Sequence, residues 1–551
     1  MRKLRNSLAI RRDLWYHTFM ETINVTTNPA ELVMIPREEY DAMKAYIVEL
    51  ESKLNWLTEQ VRLSQVRRFG ASSETAGQEV LEQMSLLFNE AEFHADEAAK
   101  PEKSVVREHE RKKRSGSVRD VVPKNITVEE VRHELPEEER VCPQCGDIME
   151  PIGTEAVETL ELIPARAVIH RDVYVKYACQ NCKVNDIEVP IVETPKKPSL
   201  IPGGFASPKA VAHIMTQKFL LCVPLYRQEQ DWKRQGLFLS RQVMSDWVLA
   251  GADILLPLYN TLHEILVSLE ILHADETVLQ VLHEAGRSAQ SKSYMWLYMT
   301  GAAETRQIAL YEYQPGRGGC YPAEFLSGFH GYLQTDGYDG YNGVESVVHL
   351  GCWAHLRRKF DEAVKALPKG AKTGAAVTGQ AYCTKLFLME RELQGLAPER
   401  RYEERLKREK PLLDEFRAWA DARTVAPKSK LGQAFVYLAN QWTPLTNYLL
   451  DGRLEISNNR AERSVKPFVM GRKNFLFANT PRGARASAVI YSVMETAKAN
   501  ALDPYRYLLF LLEEFPNADR RRADWMEPFL PWNAPDDCRM RREENRSAAQ
   551  T

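Results

Sequence analysis

Ile271-Leu272-His273-Ala274-Asp275-Glu276-Thr277-Val278-Leu279-Gln280-Val281-Leu282 is an apolar run interrupted by two adjacent acids. A short apolar run of this kind, bounded by turn-rich sequence, predicts a strand. Tyr294 to Met299 and Gln307 to Tyr313 repeat the pattern, giving three strands in succession. A helix around Ala323 to Phe329 follows. A fourth strand, Tyr332 to Thr335, then ends at Asp336, and Val347 to Leu350 makes a fifth.

This order of strands, helix, strand, turn and strand is that of an RNase H-like core, a mixed sheet with helices on its faces. In such a sheet the first and fourth strands are neighbours, so Asp275 and Asp336 meet in space although they are distant in sequence. Phosphodiester chemistry uses two divalent ions roughly 3.5–4 Å apart, held by hard carboxylate ligands, and a third acid normally completes the cage. On pattern alone both aspartates read equally well as turn or cap residues. Glu276 follows Asp275 on the strand and so faces the other side of the sheet, outside any metal site. Asp339, between Gly337 and Gly340, reads as turn chemistry.

Upstream of the strands, residues 198–265 read as helical. Leu225 to Gln235 predicts a helix stopped by Gly236, and Ser240 is placed to cap a second helix through Arg241 and Trp247. The pair has the form of a helix-turn-helix that would present Arg241 to DNA, a form that ordinary helical bundles share. Further back, residues 136–190 contain Cys142-Pro143-Gln144-Cys145-Gly146 and Cys179-Gln180-Asn181-Cys182. Each pair turns two thiolates toward one tetrahedral metal, for which zinc is the expected ion. The alternation of Val173, Val175 and Tyr177 between them favours a small zinc ribbon with one structural Zn over a helical finger, and over redox or buried free cysteines. Residues 76–135 are a polar linker carrying Arg111-Lys112-Lys113-Arg114. In residues 36–75, Tyr40, Met43, Ile47, Leu50, Leu54, Leu57 and Val61 recur in steps of three and four, a heptad seam that predicts a short coiled coil and self-association. A single amphipathic helix packed on its own core is the alternative. Residues 1–35 have no clear period and read as a disordered leader.

The chain has 551 residues, long enough for several domains, and its 73 Lys and Arg against 75 Asp and Glu exclude a histone-like polycation or an acidic solvating chain. A net charge of -2 still permits local basic clusters. Ser457 to Arg485 is one: it holds Arg460, Arg463, Lys466, Arg472, Lys473, Arg482 and Arg485 against the single acid Glu462. Such a patch reads as a DNA footprint, because neutralised phosphates release counterions. No apolar stretch reaches the ~20 residues a spanning helix needs, and Arg11, Arg12 and Asp13 interrupt any signal core, so a cytoplasmic protein with no membrane partner is expected.

Several motifs stand together in one order: His273-Ala274-Asp275-Glu276-Thr277; Thr335-Asp336-Gly337-Tyr338 with Gly340-Tyr341; Gly351-Cys352-Trp353-Ala354-His355 leading to Arg357-Arg358-Lys359-Phe360; Asn458-Asn459-Arg460-Ala461-Glu462-Arg463; and Gly471-Arg472-Lys473-Asn474 with Thr480-Pro481-Arg482-Gly483-Ala484. In this order, and with the coiled coil, the zinc ribbon and Leu225-Tyr226-Arg227-Gln228, the chain resembles insertion sequence 66 family transposases over nearly all of residues 36 to 516. The resemblance implies a bacterial DDE transposase in which Asp275, Asp336 and Glu462 bind two Mg (or Mn) ions. The activity implied is cleavage of double-stranded DNA at the terminal inverted repeats of the element and transfer of the freed strand to target DNA. Arg357 and Arg358 join the basic residues expected to grip DNA. His355 is expected to support the site by orienting a phosphate or water, or to cap a helix. A homo-oligomer held by the coiled coil, accessory proteins of the same element and association with the nucleoid are further implications. An RNase H-like nuclease that cuts without joining, and a domesticated DNA-binding protein without chemistry, are the alternatives.

The fold class expected is therefore multidomain α+β. Residues 266–350 form the first part of the core and 351–454 a helical insertion. A helix carrying Glu462 lies in 455–484, where Asn458 or Asn459 caps it and Pro467 shortens or kinks it. Two closing helices occupy 485–516, and 517–551, rich in both charges, reads as a flexible tail.

Overall fold

The computed structural model describes residues 41–47, 50, 53, 166–173, 176–178, 191–193, 199–368 and 373–540. The leader, most of the heptad seam, the linker and all four cysteines of the expected zinc site lie outside the described residues; residues 41–47, within the seam, are helical. Short strands β1 (Lys176–Ala178) and β2 (Ile191–Glu193) pair antiparallel on either side of the second cysteine pair.

Helices α1 (Pro208–Phe219), α2 (Leu225–Arg234) and α3 (Arg241–Val267) lead directly into the main sheet. The turn between α2 and α3 follows the expected chemistry. Gly236 takes φ +84, and the Ser240 hydroxyl accepts from the Val243 amide at 3.3 Å to start α3. Met244, Trp247, Val248, Gly251, Leu255, Leu258, Leu262 and Leu266 of α3 recur at helical spacing and are buried.

The sheet consists of β3 (Ile271–Gln280), β4 (Lys292–Thr300), β5 (Ala309–Gln314), β6 (Tyr332–Gln334) and β7 (Val348–Leu350), with the short helix α4 (Cys320–Phe325) between β5 and β6. Its order is β5-β4-β3-β6-β7. The β3, β4 and β5 strands pair antiparallel, while β6 lies parallel to β3 with His273 opposite Gln334, and β7 parallel to β6. An open strand edge exposes unpaired amides. On β5 these are satisfied by a helix, α12 (Pro481–Ala499): the Ala309 amide donates to Thr496 Oγ1 at 3.0 Å and the Tyr311 amide to Ser492 Oγ at 2.7 Å. That dual role explains why α12 is buried almost continuously from Ala486 to Ala497.

Between β7 and the Glu462 helix, residues form α5 (Trp353–Lys365), α6 (Ala375–Leu393), α7 (Pro398–Glu404), α8 (Lys410–Asp421), α9 (Lys430–Asn440) and α10 (Trp442–Thr446). They enclose their own core around Trp353, Phe360, Leu386, Phe416 and Leu438. Arg405 is fully buried there. Its Nε donates to Glu390 Oε1 at 2.6 Å, its Nη2 to Glu390 Oε2 and to the Leu454 carbonyl, each at 2.8 Å, and its Nη1 to the Tyr448 and Asp451 carbonyls at 3.0 Å. This guanidinium fastens the segment by which the chain returns from the insertion to the sheet.

Two expectations are corrected. Of the two outcomes expected at Pro467, shortening does not occur: helix α11 (Asn459–Phe475) runs through it; its apolar face of Ala461, Val465, Phe468 and Val469 is buried in the main core, and tertiary packing overrides the lost amide. The segment after Asn517 is not a flexible tail as far as residue 540. Helix α13 (Pro504–Glu514) is wrapped by turns that bury Met526, Phe529, Leu530 and Cys538. The Tyr507 hydroxyl donates to the Phe529 carbonyl at 2.6 Å, and the Asp503 amide to the Cys538 carbonyl at 2.8 Å.

Candidate active site

The parallel pairing of β3 with β6 carries Asp275 and Asp336 to the same end of adjacent strands. Asp275 is half-buried, and its Oδ1 accepts from the Glu276 amide at 2.8 Å. Asp336 begins a turn in which its Oδ1 accepts from the Tyr338 amide at 2.9 Å, and the Tyr437 hydroxyl of α9 donates to its carbonyl at 2.8 Å. Gly337 is favoured here by its backbone, with φ at +89, a conformation that L side chains rarely adopt.

Glu462 stands in the first turn of α11. A polar network missed by sequence reasoning sets that turn on the sheet. Asn458, buried at the helix start, donates Nδ2–H to the Ala274 carbonyl at 2.8 Å, and its Oδ1 lies 3.0 Å from His273 Nδ1. The Asn458 amide donates to Cys352 Sγ at 3.1 Å. The other ring nitrogen of His273 lies 3.0 Å from Glu455 Oε2. Burial pushes the Glu455 carboxyl up, but His273 and Arg460 outweigh it and leave a pKa of about 2. His273 and Asn458 are thus the joint between the two elements that carry Asp275 and Glu462. Their place inside the quoted motifs was the only signal for them.

The electrostatics of Asp275 follow from its burial and its acidic neighbours. Asp275 has its pKa raised well above the carboxylate range, first by burial and then by Glu276, Asp336 and Glu462. Glu462 has two neighbours from α5: His355 Nδ1 lies 3.5 Å from its Oε1 and Arg358 Nη2 3.4 Å from its Oε2. Burial depresses the His355 pKa against the pull of Glu462 and Asp336. His355 Nδ1 and Glu462 Oε1 are buried without a hydrogen-bond partner. A carboxylate oxygen without a hydrogen bond, close to the acid-crowded Asp275, fits a hard divalent cation. Cys352, His355 and Glu462 also offer ligand atoms within 4.8 Å of one another. The Cys352 thiol, however, is fully buried, is engaged by the Asn458 amide, and is pushed up to about 12 by desolvation, so it serves the helix joint.

Glu276 is held in a separate polar cluster. The Tyr341 hydroxyl donates to its Oε2 at 2.6 Å and Arg317 Nε to its Oε1 at 2.8 Å, while the Arg317 guanidinium lies 3.7 Å from the centre of the Tyr338 ring. Burial and Asp336 raise its pKa to about 7 against Arg317. Asp339 is exposed at the start of a tight turn.

The basic residues separate into two groups. Arg463, Lys473 and Arg482 are exposed, Lys466 half-buried, and Arg482 pairs with Asp253 at 2.9 Å. Arg241 is exposed near the ring of Tyr226, and Arg357 and Arg358 are half-buried on α5. Arg460 and Arg472 turn inward, contrary to the composition-based expectation of a DNA contact. Arg460 Nε donates to the Thr300 carbonyl at 2.9 Å with a second bond to Gln307, and buried Arg472 donates to Thr277 Oγ1 at 3.2 Å. Both fasten α11 to the sheet, a use that charge counting cannot distinguish from solvent exposure.

Comparison with known proteins gives the family. The model described as "Transposase IS66 family" matches residues 203–486, which takes in α1 to α3, the sheet, the insertion and α11. "Transposase C of IS166 homeodomain" matches 56–131, "zinc-finger binding domain of transposase IS66" matches 139–183 with all four cysteines, and "IS66 C-terminal element" matches 492–532. The class is thus that of a transposase. Among relatives, the uncharacterized protein y4hP of Sinorhizobium fredii (strain NBRC 101917 / NGR234) is 29% identical over 515 residues, 88% of each chain. The uncharacterized protein y4jD of the same strain is 30% identical over 413 residues, 72% of this chain and 78% of its own length. The chain belongs to the IS66 family of transposases.

Proposed function

We propose that this protein is a DNA transposase that binds the terminal inverted repeats of its own element, cuts phosphodiester bonds with water and joins the freed 3'-hydroxyl to target DNA. The observation that carries the reading is the placement of Asp275 and Asp336 at the same end of the adjacent parallel strands β3 and β6, where Asp336 and Glu462 add to the repulsion on Asp275. The strand order supports an RNase H-like core. Asp275, Asp336 and Glu462 would hold two Mg or Mn ions. Such ions supply an activated attacking oxygen and charge neutralisation at the leaving oxygen. His355 and Arg358 fix the Glu462 carboxylate, and the exposed cations Arg463, Lys473 and Arg482 bind phosphate. Cys142, Cys145, Cys179 and Cys182 would hold one structural zinc.

The test is strand cleavage and joining with Mg on a duplex carrying the repeats that flank the gene. Asp275→Ala or Glu462→Ala is expected to lose at least roughly a thousandfold in rate, because several kcal/mol of transition-state stabilisation leave with the ion. Full activity in either variant contradicts the reading.

A further inference from the structure

Helix α11 ends in an unusual way. Leu476 takes φ 66 and ψ −49, and the Phe477 amide donates to the Phe475 carbonyl at 2.8 Å. An i to i+2 bond around a positive-φ residue is a γ-turn of the rare, strained form. Glycine would adopt that backbone without penalty, yet the chain places leucine there. Both residues of the turn face outward: Leu476 is 64% exposed and Phe477 41%.

The turn is also held firmly. Ala478 donates to the Gln280 carbonyl at 2.9 Å and accepts from the Leu282 amide at 3.0 Å, and the His283 amide donates to the Asn479 carbonyl at 3.0 Å. The two apolar side chains therefore sit between α11 and the continuation of β3, the elements that carry Glu462 and Asp275. Strain maintained by surrounding structure points to use.

The approach to the turn is basic. Arg463, Lys466, Met470 and Lys473 share one face of α11 at steps of three and four, and this face ends at Leu476. Exposed Arg227 of α2 donates to Asn474 at 3.4 Å beside it. Cations leading to an exposed aliphatic and aromatic pair match a phosphate backbone followed by the faces of bases.

Resting on the transposase reading, we propose that Leu476 and Phe477 form a wedge that stacks against unpaired bases of the DNA lying along α11. Along the helix, at 1.5 Å per residue, the wedge is about 20 Å from Glu462, roughly six base steps from the cleaved bond.

The experiment uses the full chain with Asp275→Asn, so that DNA stays intact, and a duplex of the flanking terminal repeat with 2-aminopurine at successive positions from the cut site. Fluorescence is expected to rise on binding at a position roughly six steps away. Leu476→Gly with Phe477→Ala should abolish the rise while duplex affinity stays within about threefold, and in the active background it should slow cleavage about tenfold. Leu476→Gly alone suits the backbone, so a reduced rise in a variant whose melting temperature does not fall excludes misfolding as the cause. A rise that persists in the double variant, a flat signal with DNA bound, or a changed oligomeric state with the DNA response intact overturns the wedge. Absence of DNA binding by the unmutated wedge overturns the transposase reading itself.

Discussion

Glu390 in the helical insertion and Asp275 in the sheet are both carboxylates withdrawn from open water, and the chain surrounds them differently. Burial pushes Glu390 up, but Arg405 and Arg401 outweigh it and hold its pKa below the ordinary range. Burial pushes Asp275 the same way, and Glu276, Asp336 and Glu462 add to the push. The first arrangement is closed: the guanidinium of Arg405 bonds both oxygens of Glu390 and spends its remaining donors on carbonyls of the return segment. Glu409, buried beside Glu390, takes up the cost there by having its pKa pushed up to about 8 by burial and by Glu390. What separates the two regions is that the paired Glu390 ties down the return segment, whereas the acids around Asp275 stand at the ends of adjacent strands, where a cation can be added.

The largest expected effect lies in the insertion. Arg405→Met leaves Glu390 buried without its main partner and should cost about 3–5 kcal/mol of stability, read from a denaturant midpoint. Replacing both, as Arg405→Met with Glu390→Leu, should recover much of the loss. A cost below about 1 kcal/mol for the single variant removes the distinction between the two regions.

The sheet should respond with the opposite sign. Asp275→Asn relieves repulsion and is expected to stabilise the metal-free protein by about 1 kcal/mol while abolishing activity. Linkage fixes the pH dependence. The raised Asp275 pKa means that the folded state holds a proton the unfolded state has released, so this group's contribution declines as pH rises from the ordinary aspartate range through the raised value. Glu390 runs the other way: its lowered pKa gives stability that is present above the ordinary glutamate range and lost as pH falls through the folded value. Melting temperatures of metal-free wild type and Asp275→Asn should therefore diverge with rising pH. Parallel curves contradict the crowding.

Much of this arrangement was legible in the sequence because it depends on local period. The runs around Asp275 and Asp336 gave strands whose observed bounds differ by a few residues, and Gly236 with Ser240 marked the turn between α2 and α3. What remained hidden depends on partners far apart in the chain. Asn458 meets His273 across 185 positions, and Arg472 meets Thr277 across 195. No short window reports such meetings, so Arg460 and Arg472 counted as surface charge. That α11 is not shortened at Pro467 has the same cause, since the burial of Val465 and Phe468 is a tertiary fact. The turns after Asn517 bury single side chains such as Met526 and Phe529 at no regular spacing, which leaves no period to read.

The central claim is that Asp275, Asp336 and Glu462 together hold divalent cations. Calorimetric titration of Mn into the full-length, zinc-loaded protein tests it most directly, with Asp275→Asn, Asp336→Asn and Glu462→Gln as comparisons. Wild type should bind Mn with release of protons, more weakly as pH falls because the metal must displace the proton that Asp275 retains, and each variant should lose this binding. Binding of equal affinity and stoichiometry in wild type and all three variants would contradict the account.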